Sequence, residues 1–310
     1  MPLYLTESDV QALLTPAEAV AAVERCFERM ARGAVDNRPR FRHRFEGGAF
    51  AVMSAVDHEL ELAGLKSYVA ARAGTPFVVA VFDIAKAELA AVLEADQLGR
   101  LRTGAASGVA AKHLAKPEAA SLGIIGCGHQ AESQVACIRE AVPAIERVVA
   151  YCRTEKSLRA FCKKTGAEAG ESHRDPAEQD IVVTATTSAD PVLRGEWLRP
   201  GALVCAMGAN VPQHRELDNV VLERAVFVCC DSIAQARIES GDLIEPVERG
   251  VLDWLEVHEL QEVVAGETAG RGSPEDIVVF KSNGLAAWDV AAAAAVLEAA
   301  REQRVGLELG

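Results

Sequence analysis

The sequence predicts an α/β fold in which a domain with a doubly wound parallel sheet is inserted into a second, α+β domain. Its 310 residues exceed the usual size of one hydrophobic core, so two domains are expected. After Pro117, apolar runs typical of strands alternate with helical patterns, as they do in βαβ units. A long helical pattern follows once this alternation has ended, and we expect it to pack on the N-terminal segment. We therefore predict one discontinuous domain of residues 1–117 and 285–310, and an inserted domain of residues 118–284.

Composition and charge exclude several classes of protein. With 50% apolar and 25% charged residues, the chain resembles an ordinary globular protein. Its formal net charge of −13 offers no basic surface to nucleic acid or to an anionic membrane. No apolar run reaches the ~18 residues that span a bilayer, and the N-terminus lacks the basic start and apolar core of a signal peptide. We therefore expect a cytoplasmic protein that binds neither nucleic acid nor membranes.

The 8 cysteines and 7 histidines give no sign of a metal site or a disulfide framework. No two cysteines form a CxxC pair, and most lie within apolar strand or helix patterns. In a reducing compartment, such cysteines are expected to be small buried hydrophobic residues. The histidines are scattered without the spacing of metal ligands. We predict no structural metal.

The first helix is predicted from a capping box. Thr15 and Glu18 have the required spacing, with Pro16 at the first helical position and apolar residues at helical spacing behind it. This pattern predicts an amphipathic helix over residues 15–32. Short β-like runs within residues 38–57 and 64–93 then predict an antiparallel or mixed sheet. A helix over residues 106–115 is expected to close this segment.

The parallel sheet is predicted from short apolar runs separated by helical patterns. Strands are expected at residues 122–125, 148–151, 181–185, 203–207 and 226–230, with helices that end at 141 and cover 155–164. The closing helix is expected over residues 285–302. Its alanine run indicates tight helix packing, since alanine carries no chemistry.

A glycine-rich turn directly follows the first of these strands. Gly126 allows a tight turn, Gly128 lets the backbone approach a pyrophosphate, and the small Ala131 lets the next helix pack closely on the strand. The N-terminus of that helix offers N–H groups and a partial positive charge to phosphates. Strand, turn and helix in this order predict a Rossmann dinucleotide-binding domain. The alternative is an ordinary βα turn that binds nothing.

Asp231 and Lys66 are candidate catalytic residues, and each has a structural alternative. Asp231 directly follows a strand pattern that should be buried on both faces, where it fits either a general base or proton relay, or the N-cap of the next helix. Lys66 lies in an apolar strand pattern, where a fully solvated ammonium is unexpected. A partly desolvated lysine can polarise an imine or carbonyl, or contribute a proton. The alternative for Lys66 is a place on a solvent-facing side of the strand.

Arginines of the first segment are candidates for binding an anionic substrate. Arg102 precedes small residues that open a predicted helix, so its guanidinium is expected near a helix N-terminus and a phosphate or carboxylate. Arg38, Arg40, Arg42 and Arg44 alternate along one strand and are expected to share a face. One or two of them can hold an α-carboxylate bidentately, although such a run is more often a solvated strand face. With the lysine described above, these arginines outline a pocket for an anionic, amine-bearing substrate.

The residues that follow the second strand of the parallel sheet indicate the form of the cofactor. An NAD site usually presents an acidic residue at this strand end, whereas an NADP site presents cations. Here the strand is followed by Cys152, Arg153 and Thr154, with no carboxylate at its end. Arg153 and Thr154 can bind a 2′-phosphate, so the sequence favours NADP(H), with NAD(H) as the alternative. Arg153 can otherwise be explained as a solvated residue at a helix start.

Several short motifs follow one another along the chain. They are Leu65-Lys66, Leu101-Arg102-Thr103-Gly104-Ala105-Ala106-Ser107, Gly123-Ile124-Ile125-Gly126-Cys127-Gly128-His129-Gln130-Ala131, Thr184-Ala185-Thr186-Thr187, Gly208-Ala209-Asn210 running on to Asp218, Cys230-Asp231-Ser232 and Lys281-Ser282-Asn283-Gly284. In order and spacing they resemble the ornithine cyclodeaminase/mu-crystallin family of NAD(P)-dependent enzymes. The resemblance covers essentially the whole chain.

The resemblance implies a fold, a dimer and a set of site residues. It implies a Rossmann domain inserted into a substrate-binding, dimerising domain built from both chain ends. It also implies that Lys66 is the active-site lysine, that Asp231 is the catalytic aspartate, and that Arg40 and Arg102 bind the substrate carboxylate. The cofactor contacts that it implies are Thr103, Gly126, Gly128, His129, Gln130, Ala131 and Thr186.

The chain departs from the family pattern where ornithine cyclodeaminases hold the distal amine of their substrate. In ornithine cyclodeaminases, a glutamate stands just upstream of a Met-Pro pair. The corresponding stretch here is Phe50-Ala51-Val52-Met53-Ser54, which has no carboxylate. Glu59 or Glu61 in the following loop could approach instead. Since a buried ammonium without a partner is costly, the departure disfavours ornithine as the substrate.

Three hypotheses follow from the resemblance. The first is an NAD(P)-dependent imino acid reductase or amino acid dehydrogenase, with hydride transfer between the nicotinamide and the α-carbon of the substrate. The second is an ornithine or lysine cyclodeaminase, which releases ammonia without consuming cofactor. The third is of another class: an NADPH-binding protein similar to mu-crystallin. Lys66 and Asp231 argue against the third hypothesis, because a pure binding site needs neither residue.

Overall fold

The computed structural model describes residues 1–72 and 74–310. Its contacts divide the chain into two compact units. The first consists of Met1–Ala105 and Gly284–Gly310, and the second of Ala106–Asn283. The functions expected of the predicted domains, substrate binding and dimerisation in one and dinucleotide binding in the other, stay predictions.

The strands and helices are numbered in chain order. The strands are β1 (Leu3–Leu5), β2 (Val35–Phe45), β3 (Gly48–Asp57), β4 (Leu62–Ala71), β5 (Phe77–Asp83), β6 (Glu88–Glu94), β7 (Ser121–Ile125), β8 (Arg147–Tyr151), β9 (Glu168–Ala169), β10 (Ile181–Thr184), β11 (Leu203–Ala206), β12 (Ala225–Cys230), β13 (Val257–Glu259), β14 (Ile277–Lys281) and β15 (Leu307–Glu308). The helices are α1 (Glu7–Leu13), α2 (Pro16–Ala31), α3 (Asp96–Leu114), α4 (Ala131–Ala141), α5 (Glu155–Thr165), α6 (Arg174–Ala177), α7 (Asn219–Arg224), α8 (Ile233–Glu239), α9 (Gly241–Glu248), α10 (Leu260–Val264) and α11 (Ala286–Gln303).

The first unit is a mixed sheet with the order β15-β1-β6-β5-β4-β3-β2. Strands β2 to β6 pair antiparallel in sequence order, and β1 runs parallel to β6. The closing helix α11 packs on α2, where the rings of Phe27 and Trp288 lie 5.3 Å apart, edge to face. The side chain of Asn37, on β2, accepts a hydrogen bond from the N–H of Ala287 in the first turn of α11. The predicted mixed sheet and the packing of the closing helix on the N-terminal segment are confirmed.

The second unit is a parallel sheet with the order β13-β12-β14-β11-β10-β7-β8-β9. Strands β10, β11 and β14 at its centre are buried along their whole length. Strand β7 lies between β8 and β10, so the chain changes direction across the sheet at β7. In doubly wound sheets, ligands bind outside the carboxyl ends of the strands at this point. The predicted fold class, a doubly wound parallel sheet with a second domain, is confirmed.

Helix α3 begins ten residues before the predicted helix at residue 106, and this corrects the expected setting of Arg102. The carboxylate of Glu7 accepts hydrogen bonds from the N–H groups of Asp96 and Gln97, and it thus caps α3 from a distant part of the chain. Because this cap is not local, the sequence around Asp96 does not reveal it. Arg102 and Thr103 therefore lie inside a helix and not at its N-terminus.

The described residues contain no helix long and apolar enough to cross a membrane. Within residues 1–72 and 74–310, no group of three His, Cys, Asp or Glu side chains is arranged to hold a metal ion. The cysteines are free thiols, of which Cys26, Cys137, Cys205, Cys229 and Cys230 are buried, as predicted, whereas Cys127, Cys152 and Cys162 are half-buried.

Candidate active site

The glycine turn that follows β7 requires glycine at its first position. Gly126 has φ +109°, and a Cβ atom there would lie only 2.4 Å from the carbonyl oxygen of Ala185. Its N–H donates to the carbonyl of Tyr151, which ties the turn to the end of β8. Gly128 is exposed, and a Cβ atom there would meet no heavy atom of the described residues within 4 Å. The backbone at Gly128 is therefore accessible to a ligand.

A cavity of about 300 Å³ lies against this turn, at the carboxyl ends of β7, β8 and β10. The turn opens into α4, which begins at the fully buried Ala131. A turn that leaves backbone accessible, followed by a helix N-terminus and a cavity of this size, fits the pyrophosphate and adenosine portion of a dinucleotide. The predicted cofactor residues that line the cavity are Gly126, Gly128, Arg153, Thr154 and Thr186.

The remaining residues predicted to contact the cofactor are distributed over both units. His129 is exposed in the turn, and Gln130 is half-buried directly before α4. Thr103 belongs to the first unit, and its hydroxyl donates to the carbonyl of Gly99 within α3, at 2.7 Å. The roles of these residues stay predictions.

The wall of the cavity at the end of β8 carries a cation and a hydroxyl. Arg153 and Thr154 are exposed. Thr154 precedes α5, but its side chain accepts no capping hydrogen bond from the described helix, so its hydroxyl is not engaged by that helix. The nearest acidic residue along the chain, Glu155, is paired with Arg159. Burial lowers the pKa of His173, which also lines the cavity, and the charge of Arg153 lowers it further.

Asp231 is a fully buried carboxylate at the end of β12. Its Oδ2 accepts hydrogen bonds from the hydroxyl of Ser282, at 2.9 Å, and from the N–H of Asn283, at 2.7 Å. The cap of α8 is Ser232, whose Oγ accepts from the N–H of Gln235. The sequence left open whether Asp231 was only a helix cap, and the structure gives that position to its neighbour.

Lys66 is buried on β4, with 3% of its surface exposed. Its Nζ lies 3.1 Å from Oδ1 of Asp289 and 5.0 Å from the centroid of the Phe77 ring. The pKa of Lys66 is lowered to about 8, mainly by burial and also by the positive charges of Arg102 and Arg40, while Asp289 opposes the fall. The solvent-facing alternative for Lys66 was therefore wrong, and its ammonium is the partly desolvated group that the strand pattern indicated.

Arg102 meets the same carboxylate. Its Nε lies 2.9 Å from Oδ1 of Asp289, and its guanidinium lies 5.8 Å from the centroid of the Trp288 ring. Asp289 is 1% exposed, so one buried carboxylate holds two buried cations. Sequence reasoning missed Asp289, although a lone acidic residue in an otherwise apolar helix pattern was a usable signal.

The four alternating arginines do not share one environment, which corrects the expected common face. The β2–β3 register shifts between Arg38 and Phe41, so a bulge interrupts the alternation. Arg40 is buried, whereas Arg38 and Arg44 are exposed. Of the four side chains, that of Arg40 therefore has the setting expected of a substrate ligand.

The two loop glutamates, Glu59 and Glu61, do not replace the missing glutamate, because both are exposed. Met53 is buried on β3, directly opposite Lys66 in the register with β4. The carboxylate of Glu59 is exposed and held by Arg32 at 2.9 Å. Glu61 is also exposed.

Comparison with known proteins places the chain among related sequences and structures. Residues 2–304 match the model of the ornithine cyclodeaminase/mu-crystallin family. An alanine dehydrogenase of Archaeoglobus fulgidus is 37% identical over 320 residues, which cover 99% of this chain and 98% of that protein.

Two solved structures are similar over the whole chain. The Δ1-pyrroline-2-carboxylate reductase of Thermococcus litoralis, solved with NADH and L-proline, superposes with a TM-score of 0.94, at 32% identity over 99% of this chain and 100% of that one. An archaeal alanine dehydrogenase, solved as a dimer with bound NAD, superposes with a TM-score of 0.93, at 33% identity over 100% of this chain and 99% of that one.

Proposed function

The chain belongs to the ornithine cyclodeaminase/mu-crystallin family, and from that premise we propose that it is an NAD(P)-dependent oxidoreductase acting on an imino acid or amino acid. The observation that carries this proposal is the pair of buried cations, Lys66 and Arg102, on the single carboxylate of Asp289. Two cations on one carboxylate leave the group with an excess of positive charge, and the charge of Arg40 also acts on Lys66. Such an excess inside a protein is expected where an anionic substrate binds.

The two arginines bind the substrate in this proposal. Arg102 and Arg40 hold the α-carboxylate, since a guanidinium can donate two parallel hydrogen bonds to a carboxylate. Asp289 orients Arg102 through Nε, which leaves the terminal nitrogens of the guanidinium for the substrate. Gly99 allows Lys66 to approach, because a Cβ atom at Gly99 would lie 2.6 Å from Nζ of Lys66.

Lys66 and Asp231 are the proposed proton-transfer and polarising groups. Lys66, as the ammonium, polarises the C=N bond of the imino acid, and Asp231 relays a proton to the imine nitrogen. A bound nicotinamide dinucleotide supplies the hydride for the α-carbon of the substrate. In the reverse direction, Asp231 accepts the proton from the amine of the amino acid.

The cofactor is held by the residues around the glycine turn. The backbone at Gly128 and the N-terminus of α4 receive the pyrophosphate. We propose that Arg153 and Thr154 receive a 2′-phosphate, so that NADP(H) is preferred over NAD(H). Support comes from their exposed position in the cavity wall and from the pairing of Glu155 with Arg159. By analogy with the archaeal alanine dehydrogenase dimer, we also propose that the chain forms a homodimer.

A substrate screen tests the proposed reaction. NADPH or NADH is mixed with pyruvate plus ammonia, Δ1-pyrroline-2-carboxylate or Δ1-piperidine-2-carboxylate, and cofactor oxidation is followed by absorbance. Ammonia release from L-ornithine and L-lysine with catalytic cofactor is measured beside it. We expect cofactor oxidation with at least one imino acid and no ammonia from ornithine. Ammonia release without net cofactor use would favour a cyclodeaminase, and cofactor binding without either reaction would favour a crystallin-like binding protein.

A further inference from the structure

A fully buried carboxylate, that of Glu216, lies beneath the loops at the carboxyl ends of β10 and β11. Its Oε1 accepts hydrogen bonds from the N–H of Thr186, at 2.7 Å, and from the hydroxyl of the same residue, at 2.8 Å. Its Oε2 accepts from the N–H of Gly208, at 2.6 Å, and from the hydroxyl of Thr184, at 2.9 Å. One side chain thus accepts four hydrogen bonds, one from the end of β10 and three from the loops that follow β10 and β11.

These loops support the glycine turn and the cavity. A Cβ atom at Gly126 would lie 2.4 Å from the carbonyl of Ala185 and 3.0 Å from Cγ2 of Thr186, so the turn packs directly on residues 185–186. A Cβ atom at Gly208 would lie 2.2 Å from the carbonyl of Thr186, so the second loop packs on the first. Thr186 lines the cavity, whereas Glu216 does not. Glu216 therefore fixes one wall of the cavity from behind.

The carboxylate belongs to a buried charge cluster that is costly to maintain. Glu216, Asp242 and Lys281 are all fully buried. Lys281 lies 3.2 Å from Asp242 and donates to the carbonyl of Ala209, at 2.6 Å, while Asp242 accepts from the N–H of Glu216, at 2.7 Å. Burial raises the pKa of Glu216, and so does the charge of Asp242, while Lys281 opposes the rise. Two buried carboxylates beside one buried ammonium indicate a specific positional requirement more than a source of stability.

We infer that Glu216 is a positioning residue for the dinucleotide: it holds the β10 and β11 loops so that the glycine turn and Thr186 form the cofactor cradle. This inference rests on the proposed function, because it presupposes that the cavity binds a nicotinamide dinucleotide. It assigns Glu216 no contact with the cofactor. Glu216 acts on cofactor binding through the N–H groups and hydroxyls that donate hydrogen bonds to it.

The test is a fluorescence titration of NADPH and NADH with the wild-type protein and with Glu216→Gln. The amide of glutamine retains one acceptor oxygen, and its NH₂ group faces backbone or hydroxyl donors at the other position. One loop is therefore left without its acceptor, and we expect the Kd for the cofactor to rise by about tenfold or more. The effect on kcat at saturating cofactor should be smaller than the effect on Kd, because no reacting group has changed.

Asp180→Asn is the matched control. Asp180 accepts from the N–H groups of Ala120 and Ser121 and from the hydroxyl of Ser121, and it thus joins the other ends of β7 and β10. We expect a loss of Tm in this variant with an unchanged Kd. A second test variant, Thr184→Val, removes one donor to Glu216 at a residue that does not line the cavity. It should weaken cofactor binding several-fold even if Glu216→Gln fails to fold.

The outcomes separate the inference from the proposed function. If the wild-type protein binds neither cofactor, the proposed function is overturned and the cradle role with it. A second outcome is that the wild-type protein binds the cofactor while Thr184→Val, and Glu216→Gln if it folds, bind it with the same Kd. In that case the positioning role alone is overturned. The same holds if Asp180→Asn weakens binding as much as the changes at Glu216 and Thr184.

Discussion

Asp289 lies 3.1 Å from Lys66 and forms with it a buried ion pair within the first unit. The pair joins the closing helix α11 to strand β4, and the pKa of Lys66 is nevertheless lowered to about 8, because burial outweighs the attraction of the carboxylate. Lys66 is thus largely protonated below pH 8 and largely neutral above it. A lysine that loses its proton in this range can act in proton transfer, which a lysine at its ordinary pKa does less readily.

Asp289→Asn is predicted to move the alkaline limb of the pH profile. If the ammonium form of Lys66 polarises the substrate, kcat/KM falls as the pH rises through about 8. Removal of the negative charge of Asp289 disfavours the ammonium, so the limb should move to lower pH by about one unit or more. Profiles of kcat/KM between pH 6 and 10 measure the shift. Asp83→Asn, which breaks the exposed pair with Lys86, is the control and should leave the limb in place.

Arg102→Ala is predicted to weaken substrate binding. Loss of a charge-assisted pair with the substrate carboxylate corresponds to about 1.5–3 kcal/mol, or roughly a 10- to 150-fold rise in KM for the imino acid. The Kd for the cofactor should not change. Steady-state kinetics beside a cofactor titration measure both quantities, and Arg38→Ala, at an exposed arginine, is the matched control. An unchanged KM in Arg102→Ala would contradict the carboxylate role.

Asp231→Asn is predicted to reduce turnover by about 10²-fold or more, because the amide cannot relay a proton. The volume of the side chain is retained, so the Kd for the cofactor should stay close to that of the wild-type protein. Ser232→Ala separates this effect from helix capping, since Ser232 caps α8. It should cost about 1 kcal/mol of stability with little effect on kcat. Turnover at the wild-type level in Asp231→Asn would contradict the proton-relay role of Asp231 and leave it a structural role.

The features that the sequence predicted are those fixed by local chemistry. The capping box at Thr15 does begin a helix, and α2 covers Pro16–Ala31 against a predicted 15–32. The glycine turn at Gly126 follows a strand and opens a helix, because its steric requirement lies within a few residues. For Lys66, the apolar strand pattern left two settings open, a desolvated one and a solvent-facing one, because side chains alternate between the two faces of a strand; the structure has the desolvated one.

The features that the sequence did not predict depend on distant residues. The start of α3 is set by Glu7, about 90 positions away, and no local pattern reports such a cap. Strand β14 lies between β11 and β12 in the parallel sheet although it follows both in the chain, and periodicity cannot give this order. Asp289, the partner of both Lys66 and Arg102, lies 223 residues from Lys66 and 187 residues from Arg102 along the chain. These ion pairs are therefore visible only in the folded structure.

Arg153→Ala is predicted to change the choice of cofactor. Arg153 stands in the cavity wall at the end of β8, where a 2′-phosphate would gain a charge-assisted hydrogen bond. The KM for NADPH should rise by about tenfold or more, while the KM for NADH should change little. Arg147→Ala, at an exposed arginine at the other end of β8, is the control. Equal losses with both cofactors would remove the argument for NADP(H).

Gly126→Ala and Gly128→Ala are predicted to separate the two functions of the glycine turn. At Gly126, an added methyl group would collide with the carbonyl of Ala185 at a φ of +109°, so alanine should destabilise the protein by about 1–3 kcal/mol and lower its Tm even without cofactor. At Gly128, the added methyl group meets open space among the described residues, so the Tm of the protein alone should stay within about a degree of the wild-type value.

Gly128→Ala should show its defect in the affinity for the cofactor and not in the Tm of the protein alone. If the backbone at Gly128 approaches the pyrophosphate, a methyl group there occupies space that the ligand needs, and the Kd for NADPH should rise by about tenfold or more in Gly128→Ala. Thermal scans with and without NADPH at a fixed concentration measure both effects, since a ligand that binds the folded state raises the Tm by an amount that grows with the logarithm of the ligand concentration divided by its Kd. A Gly128→Ala protein that gains as much Tm from NADPH as the wild-type protein would contradict the pyrophosphate role of the turn, because the added methyl group would then not meet the bound ligand.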